Sequence, residues 1–317
     1  MDIFRLLFAS DLHGSNLVFK KLLDTAIAGN VHAVLIGGDI TGKTLTPLVR
    51  RAGGVYQAEF KGGIRTAREG EELKVLQDDI SNTGSYPIRL ELDQYTEMQQ
   101  NEKKKDERFL FEMTKRLEQW LFIAETKLKV KNIQFLPMCG NDDNWVLDKI
   151  IAASTFAQNP DYDIVLLADT FEVVGESRAN MTPFNCPRDV NDEILEKSLR
   201  KKIQQLRDPQ KSIFMLHTPP FNSNLDFAPE LDDKLRPKYQ AGNPIIHPAG
   251  SRAVRKVIEE FQPILSLHGH IHESHAFAKI GRTLCINPGS ESSSGLLRCY
   301  LVTMDKASIK GYMLITR

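Results

Sequence analysis

Asp11-Leu12-His13-Gly14 places a carboxylate and an imidazole two residues apart on one short loop, where both side chains can reach a single metal ion. One such pair arises easily by chance, so its meaning depends on order and surroundings. Asp39 in Gly37-Gly38-Asp39, Asn141 in Gly140-Asn141-Asp142-Asp143 and His217 in Leu216-His217-Thr218-Pro219-Pro220 each follow a short apolar run. So do His270 and His272 in His268-Gly269-His270-Ile271-His272. In an α/β sheet the crevice beyond the carboxyl ends of the strands is where ligands bind, because loops converge there without disturbing the packed sheet. Taken singly, each residue reads equally well as a turn former or a satisfied polar group.

The elements that would carry these residues are legible as hydrophobic runs. Ile3 to Ala9 is a strand ending at Ser10-Asp11; Leu17, Phe19, Leu22, Leu23, Ala26 and Ile27 recur at helical spacing after a Ser15 cap; Val31 to Ile36 is a second strand. Gly29-Asn30 between them ends the helix, so the first forty residues form a βαβ unit. Phe135 to Met138, Ile164 to Ala168, Ile213 to Leu216 and Ile264 to Leu267 repeat the buried-strand pattern, and Thr283 to Thr316 alternates well enough to close a sheet. From about residue 50 to 131 the chain turns Gly-rich and charged, then helical from Glu102, with Phe109, Met113, Leu117, Trp120, Ala124 and Leu128 on one stripe. This segment is expected to be a helical, charged insertion whose stripe packs on the sheet and whose Lys103-Lys104-Lys105 run is solvated. Residues 219–248, rich in Pro, Asn and Asp, form a long loop expected to wrap the same crevice.

Composition narrows the class. The 317 residues fit one domain spanning 1–317, with 41% hydrophobic and 26% charged residues, an ordinary globular balance. Lys+Arg and Asp+Glu are 41 each, which removes the global positive field that draws proteins onto nucleic acid or anionic lipid. No apolar run reaches the ~18 residues of a membrane span, and Met-Asp-Ile-Phe, with an acid at position 2 and no cleavage site after it, does not read as an export signal. Cys139, Cys186, Cys285 and Cys299 form no CxxC and are expected to stay free in a reducing cytoplasm.

The ordered set of blocks, Asp11-x-His13, Gly38-Asp39, Gly140-Asn141-Asp142, His217 and Gly269-His270-x-His272, resembles the calcineurin-like metallophosphoesterases over Asp11 to His272. The resemblance implies a layered α/β/β/α sandwich and two divalent ions. Asp11, His13 and His272 would hold one ion, Asn141, His217 and His270 the other, and Asp39 would bridge them. Such a centre, two divalent ions with two carboxylates and a bridging hydroxide, carries a net charge of about +1 and attracts a phosphate ester. The implied reaction is hydrolysis of phosphate mono- or diesters by in-line attack of that hydroxide. The oxygen and nitrogen ligands do not by themselves choose among manganese, iron, zinc, nickel and magnesium, of which manganese is the first expectation.

This chain departs from the family pattern at Asp142, where many relatives have a histidine assigned to protonate the leaving oxygen. An ordinary Asp, with a pKa of about 3.9, is almost wholly ionised at neutral pH, so Asp142 is a poor substitute acid. Thr41 is a candidate contact to the ligand shell, Arg178, Asn180 and Arg188 are candidates for phosphate contact, and His32, His247, His268 and His275 read as structural, with His247 and His268 able to support ligands. Asn287-Pro288-Gly289-Ser290 reads as a structural turn near the active edge. Two other readings share the motifs: a catalytically silent scaffold, against which the complete ligand set argues, and a DNA-processing nuclease, against which the balanced charge argues. No motif names the substrate, the role of Asp143 or the oligomeric state.

Overall fold

A computed structural model describes residues 3–317. Met1 and Asp2, which begin the segment expected to lack an export signal, lie outside it. Two sheets face each other. The first runs Ile309–Thr316, Arg298–Met304, Phe4–Ala9, Ala33–Ile36, Gln134–Pro137 in spatial order; the second runs Ala276–Ile280, Thr283–Asn287, Leu265–Leu267, Ile213–Leu216, Phe171–Glu176, Val165–Leu167. Phe8, Leu35, Leu136 and Val302 from one sheet and Val173, Met215, Leu267 and Ile286 from the other fill the space between them.

Because strands buried on both faces are apolar throughout, they read as short continuous runs rather than alternations. Their outer faces carry the helices. Asn16–Ala28, Glu102–Leu128 and Val146–Ala152 cover Leu7, Ala9, Val34 and Ile36 on the first sheet. Asp192–Ile203 and Arg252–Phe261 cover Val174, Phe214 and Leu216 on the second. The result is the expected layered α/β/β/α sandwich.

Parallel pairing decides where the polar loops fall. Phe4–Ala9 pairs parallel with Ala33–Ile36, which pairs parallel with Gln134–Pro137, so Asp11, Asp39 and Asn141 leave the first sheet at one edge. Ile213–Leu216 and Leu265–Leu267 are likewise parallel, which brings His217 and His270 to the matching edge of the second sheet. Among the described residues no helix is long and apolar enough to cross a membrane.

The segment expected to be a helical insertion contains a sheet as well. Gly63–Arg68, Val55–Phe60, Leu45–Arg51 and Tyr86–Leu90 form four adjacent strands, covered by helix Glu71–Asn82, with Leu48, Tyr56, Leu73 and Ile80 in a small core of their own. Its helix Glu102–Leu128 begins where expected, with Asn101 accepting the Lys104 amide at 3.1 Å. Met113, Leu117, Trp120, Ala124 and Leu128 of the stripe share one core with the first sheet, and Trp120 also meets helix Asn16–Ala28, stacking on Phe19 with ring centroids 4.2 Å apart and donating its indole N–H to Asn16 Oδ1 at 2.8 Å. The 219–248 segment is less structureless than expected, with Phe227–Pro229 pairing antiparallel to Ile246–Pro248 and Tyr239–Gln240 to Asn243–Pro244. Trp120→Ala empties the contact between helices Asn16–Ala28 and Glu102–Leu128 and is expected to cost about 3–5 kcal/mol, read as a lower denaturant midpoint with an unchanged slope.

Candidate metal centre

The seven side chains named from the sequence close into a ring at the shared edge of the two sheets. His272 Nε2 lies 3.3 Å from Asp11 Oδ1 and 3.0 Å from His13 Nε2. His13 Nε2 lies 3.8 Å from Asp39 Oδ2, and Asp39 Oδ1 lies 3.3 Å from His217 Nε2. His217 Nε2 and His270 Nδ1 are each 3.0 Å from Asn141 Oδ1, and the His270 backbone N–H donates to Asp11 Oδ2 at 3.0 Å. Asp11, His13, Asp39 and His272 offer ligand atoms within 4.8 Å of one another, so this group could hold a metal ion.

Hydrogen-bond accounting shows that the ring wants a cation. His217 Nδ1 lies 2.9 Å from the Gly37 carbonyl, which fixes the proton there and aims the Nε2 lone pair at the Asn141 and Asp39 oxygens. Asn141 cannot turn a donor inward, because its amide nitrogen donates to Asp189 Oδ1 at 2.8 Å. Acceptors therefore face acceptors, in a site where Asp11, Asp39, Asn141 and His217 are all buried. Two ligands at right angles on an ion at about 2.1 Å stand about 3 Å apart, the spacing of the His13 and His272 Nε2 atoms. The residues present fit a divalent ion.

The titration behaviour of the protein side chains by themselves shows how much compensation the site lacks. Burial raises the Asp39 carboxyl to about 6 even though the His217 charge and hydrogen bond oppose it, with Asp142 and Asp11 adding to the rise. Burial would lower His217, but the Asp39 charge and hydrogen bond push it up to about 9. Burial, reinforced by the His217 charge, holds His270 down at about 3. At Asp11 burial works toward a higher value and is outweighed by the hydrogen bond and charge of His272, which leave the carboxyl well below its usual range.

Local backbone is bent to make this arrangement. Asp11, His13, Asp39 and His270 have φ of 57°, 42°, 46° and 68°, the left-handed region that ordinary residues avoid at about 1–3 kcal/mol each. Two glycines permit the close approach of the loops: a Cβ on Gly140 would stand 2.2 Å from Asp39 Oδ1, and one on Gly269 would stand 2.3 Å from Asp11 Oδ2. Asp143 ties two of the loops together, its carboxylate accepting from the Ile40 amide at 2.9 Å, the Thr41 amide at 3.0 Å and the Gly140 amide at 2.8 Å.

Several sequence candidates fall elsewhere. The Thr41 hydroxyl donates to Asp143 rather than to the ligand ring. Arg188 is wholly buried, donating to the Asp143 and Asn144 carbonyls and pairing with Asp148, and so braces the Asn141 loop. Arg178 is spent on Glu176, and Asn180 on the Ala249 carbonyl and the Thr218 hydroxyl. His268 is buried beneath the site with Nδ1 against the Leu216 and Thr218 carbonyls, and His32 accepts the Arg5 amide, both structural as expected. Asn287 donates to the Leu225, Gly269 and Ile271 carbonyls and Ser290 to the Asp11 carbonyl, so that turn is a structural support of the edge.

The Asp142 carboxylate finds its partners outside the ring. Its carboxylate accepts from the Cys186 thiol at 2.7 Å and pairs with Lys43. Burial works to raise it, but the Lys43 charge and the Cys186 hydrogen bond overcome this and hold it well below the carboxylate range. An ionised Asp142 has no proton to give. Asp143 stands in the motif with its role left open by the sequence, whereas Lys43 and Asp189, which pair with Asp142 and Asn141, carry no motif signal at all. Beside Asp142 opens a cleft of about 410 Å³ bounded by Lys103, Phe109, Leu110, Met113, Asn144 and Pro187.

No family model matches the chain. An uncharacterized protein of Methanocaldococcus jannaschii, MJ1162, is 30% identical over 164 residues, 50% of this chain and 66% of that protein, so the match spans just under two-thirds of the relative. The protein TT1561 of Thermus thermophilus superposes with a TM-score of 0.55 at 13% identity, covering 96% of this chain and 100% of that one. A second solved structure reaches 0.54 at 14% identity over 99% of both chains. A structure described as a novel archaeal phosphodiesterase reaches only 0.40 at 12% identity, over 99% of this chain and 100% of that one, too distant to carry an argument. These likenesses establish a shared fold.

Millimolar Mn²⁺ is expected to raise the melting temperature, since an ion at 100 times its Kd adds about 2.7 kcal/mol. The rise should vanish in Asp11→Ala and His272→Ala. Differential scanning fluorimetry with metal analysis checks both; a melting temperature indifferent to Mn²⁺, Zn²⁺ and Mg²⁺ contradicts the reading.

Proposed function

We propose that the protein is a calcineurin-like metallophosphoesterase that hydrolyses phosphate mono- or diesters at a centre of two divalent ions. The single observation that carries the reading is the closed ring of Asp11, His13, Asp39, Asn141, His217, His270 and His272, acceptor-rich and with its carboxylates, amide and His217 buried. Asp11, His13 and His272 would hold one ion and Asn141, His217 and His270 the other. Asp39 has an oxygen toward each group, Oδ2 toward His13 and Oδ1 toward His217, as a bridging ligand requires. Manganese is the first expectation, with iron, zinc, nickel or magnesium as alternatives, because the ligand set alone does not choose among them. Such ions supply Lewis acidity and an activated water at neutral pH.

The protein's own part is positional. Gly37 holds the His217 proton on Nδ1, Asp189 keeps the Asn141 oxygen turned inward, and the Asp143 carboxylate keeps the Asp39 and Asn141 loops in register. The ring is open on the His272 side, where that side chain is 34% exposed, and this is where a phosphoryl group enters. The cleft past Asp142, walled by Phe109, Leu110 and Met113, takes the departing alcohol. With no proton donor at Asp142, esters of acidic alcohols should react best, because general acid catalysis is worth about 10²–10⁴-fold mainly where the leaving group is poor.

Protein loaded with Mn²⁺ should therefore hydrolyse 4-nitrophenyl phosphate or bis(4-nitrophenyl) phosphate far faster than the matching alkyl esters. Asp39→Asn should lose more than the about 10–100-fold typical when only a ligand's hydrogen-bond partner is removed. Steady-state assays with each metal in turn decide it. A metal-loaded protein inert toward every aryl ester would favour a scaffold.

A further inference from the structure

We propose that the cleft beside Asp142 selects phosphate esters whose alcohol carries an aromatic ring, and that Leu110 sets the choice; the proposal rests on the phosphoesterase reading above and names the substrate class of that site. The cleft measures about 410 Å³ and lies between the N-terminal third of helix Glu102–Leu128 and the chain around Asp142, Asn144 and Pro187. That volume falls within the roughly 300–1,000 Å³ of small-molecule pockets and exceeds what a short alkyl alcohol fills.

The base of the cleft is fixed to the ring. The Asp142 amide donates to Asp39 Oδ1 at 3.1 Å, and the Arg188 amide, next to Pro187, donates to the Asn141 carbonyl at 3.1 Å. The Trp145 indole N–H holds the Pro187 carbonyl at 3.2 Å. Asp142 therefore stands at the border of ring and cleft, and an alcohol bonded to phosphorus at the ring has the cleft as its neighbour.

The helix wall changes character along its length. Lys103, Asp106, Leu110 and Met113 recur at helical spacing on one face, the first two charged and the last two apolar. At the outer end the Lys103 and Glu107 side chains are 86% and 66% exposed. At the other end Met113 is buried and Phe109 packs edge-on against Tyr86 with ring centroids 5.7 Å apart, while the Tyr86 hydroxyl accepts the Gly42 amide from the loop after Asp39. The apolar end of the wall is thus the end tied to the ring, and the body of the alcohol meets Phe109, Leu110 and Met113.

Packing accounts for Phe109 and Met113, which belong to the core that this helix shares with the first sheet. It does not account for Leu110, which is half-buried, stands in none of the apolar cores among the described residues and lines the cleft. A leucine placed between a phenylalanine and a methionine makes a surface suited to an aromatic ring, because phenyl rings and thioethers both gain from aromatic contact beyond area alone. As the attacking water oxygen bonds to phosphorus and the P–O bond to the alcohol breaks, the alcohol departs along this wall and takes its proton from solvent.

The test compares phenyl phosphate with 2-naphthyl phosphate, esters of two phenols of nearly equal acidity, so that a preference reports the extra ring and not the leaving group. Full-length, Mn²⁺-loaded wild-type, Leu110→Ala and Leu110→Asp proteins are assayed by steady-state kinetics, with metal content and melting temperature measured for each. The wild type should favour the naphthyl ester by about five- to tenfold in kcat/KM, the gain expected from covering roughly 40–50 Å² more apolar surface. The gain should lie in KM rather than kcat, as binding that is equal in ground and transition states requires. Leu110→Ala should reduce the preference to about two- to threefold and Leu110→Asp should abolish it; the alanine variant decides the matter if the charged one loses its fold. A wild type that turns over both esters without preferring the naphthyl one overturns the proposal and leaves the phosphoesterase reading intact, and so does a preference that survives substitution of Leu110. A metal-loaded wild type inert toward both esters and toward bis(4-nitrophenyl) phosphate overturns the phosphoesterase reading and the proposal with it.

Discussion

Buried acceptors pointing at one another are the constraint around which the molecule is arranged. Two carboxylates, an amide oxygen and four imidazoles share a space closed to most solvent, and lone pairs desolvated without a donor or cation cost free energy that packing must offset. By protons alone the compensation is partial: the Asp39–His217 pair draws in a proton, while His270 is held neutral beside it. A divalent ion held by these side chains would ease the same conflict, because the ligand nitrogens and oxygens would then face positive charge. The arrangement is therefore costly as a piece of protein and well suited as a receptor.

That cost explains why so much ordinary structure is devoted to holding loops. Four ring residues sit in left-handed backbone, a conformation that survives only where neighbours over-determine it. The neighbours are identifiable. The Asp11 amide donates to the Gly38 carbonyl and the His13 amide to the Asp39 carbonyl, so the loops after the first two parallel strands continue the pairing of those strands. The Gly269 amide donates to the His217 carbonyl, which does the same in the second sheet. The His270 amide bonded to Asp11 then couples the sheets to each other. Register in the strands thus becomes position in the site.

The sandwich was legible because its strands are buried on both faces and its motifs stand directly at their ends. Ile213–Leu216 and helix Glu102–Leu128 fall where hydrophobic spacing puts them, and Ser15 caps the first helix by accepting the Val18 amide. The inserted sheet was not legible, because Gly63–Arg68 is mostly exposed and Val55–Phe60 buries only Tyr56 and Ala58. Charged, two-sided-polar strands joined through Lys61-Gly62 resemble a loop in composition, and only the left-handed φ of both residues marks the turn. Arg178 and Arg188 misled for a related reason. Sequence reports a cation near the motif and says nothing of the partner, and here Glu176 and Asp148 claim both. Lys43 carries no motif of its own, and its partner Asp142 stands about a hundred residues away along the chain.

The inserted layer is more than a cover. Arg116, buried on helix Glu102–Leu128, donates to the carbonyl of Gly14 and stacks over Tyr86 with 4.8 Å to the ring centroid. Tyr86 in turn holds the Gly42 amide from the inserted sheet. One helix and one strand of the insertion therefore grip the two loops that present Asp11 and His13 on one side and Asp39 and Lys43 on the other. The same helix supplies Phe109, Leu110 and Met113 to the cleft beside Asp142. Tilting this helix against the sandwich would move the wall of the cleft and the backbone of both loops together. The element that walls the cleft is thus mechanically joined to the loops that carry the ring, and changes along this helix cannot be separated from the placement of the ring.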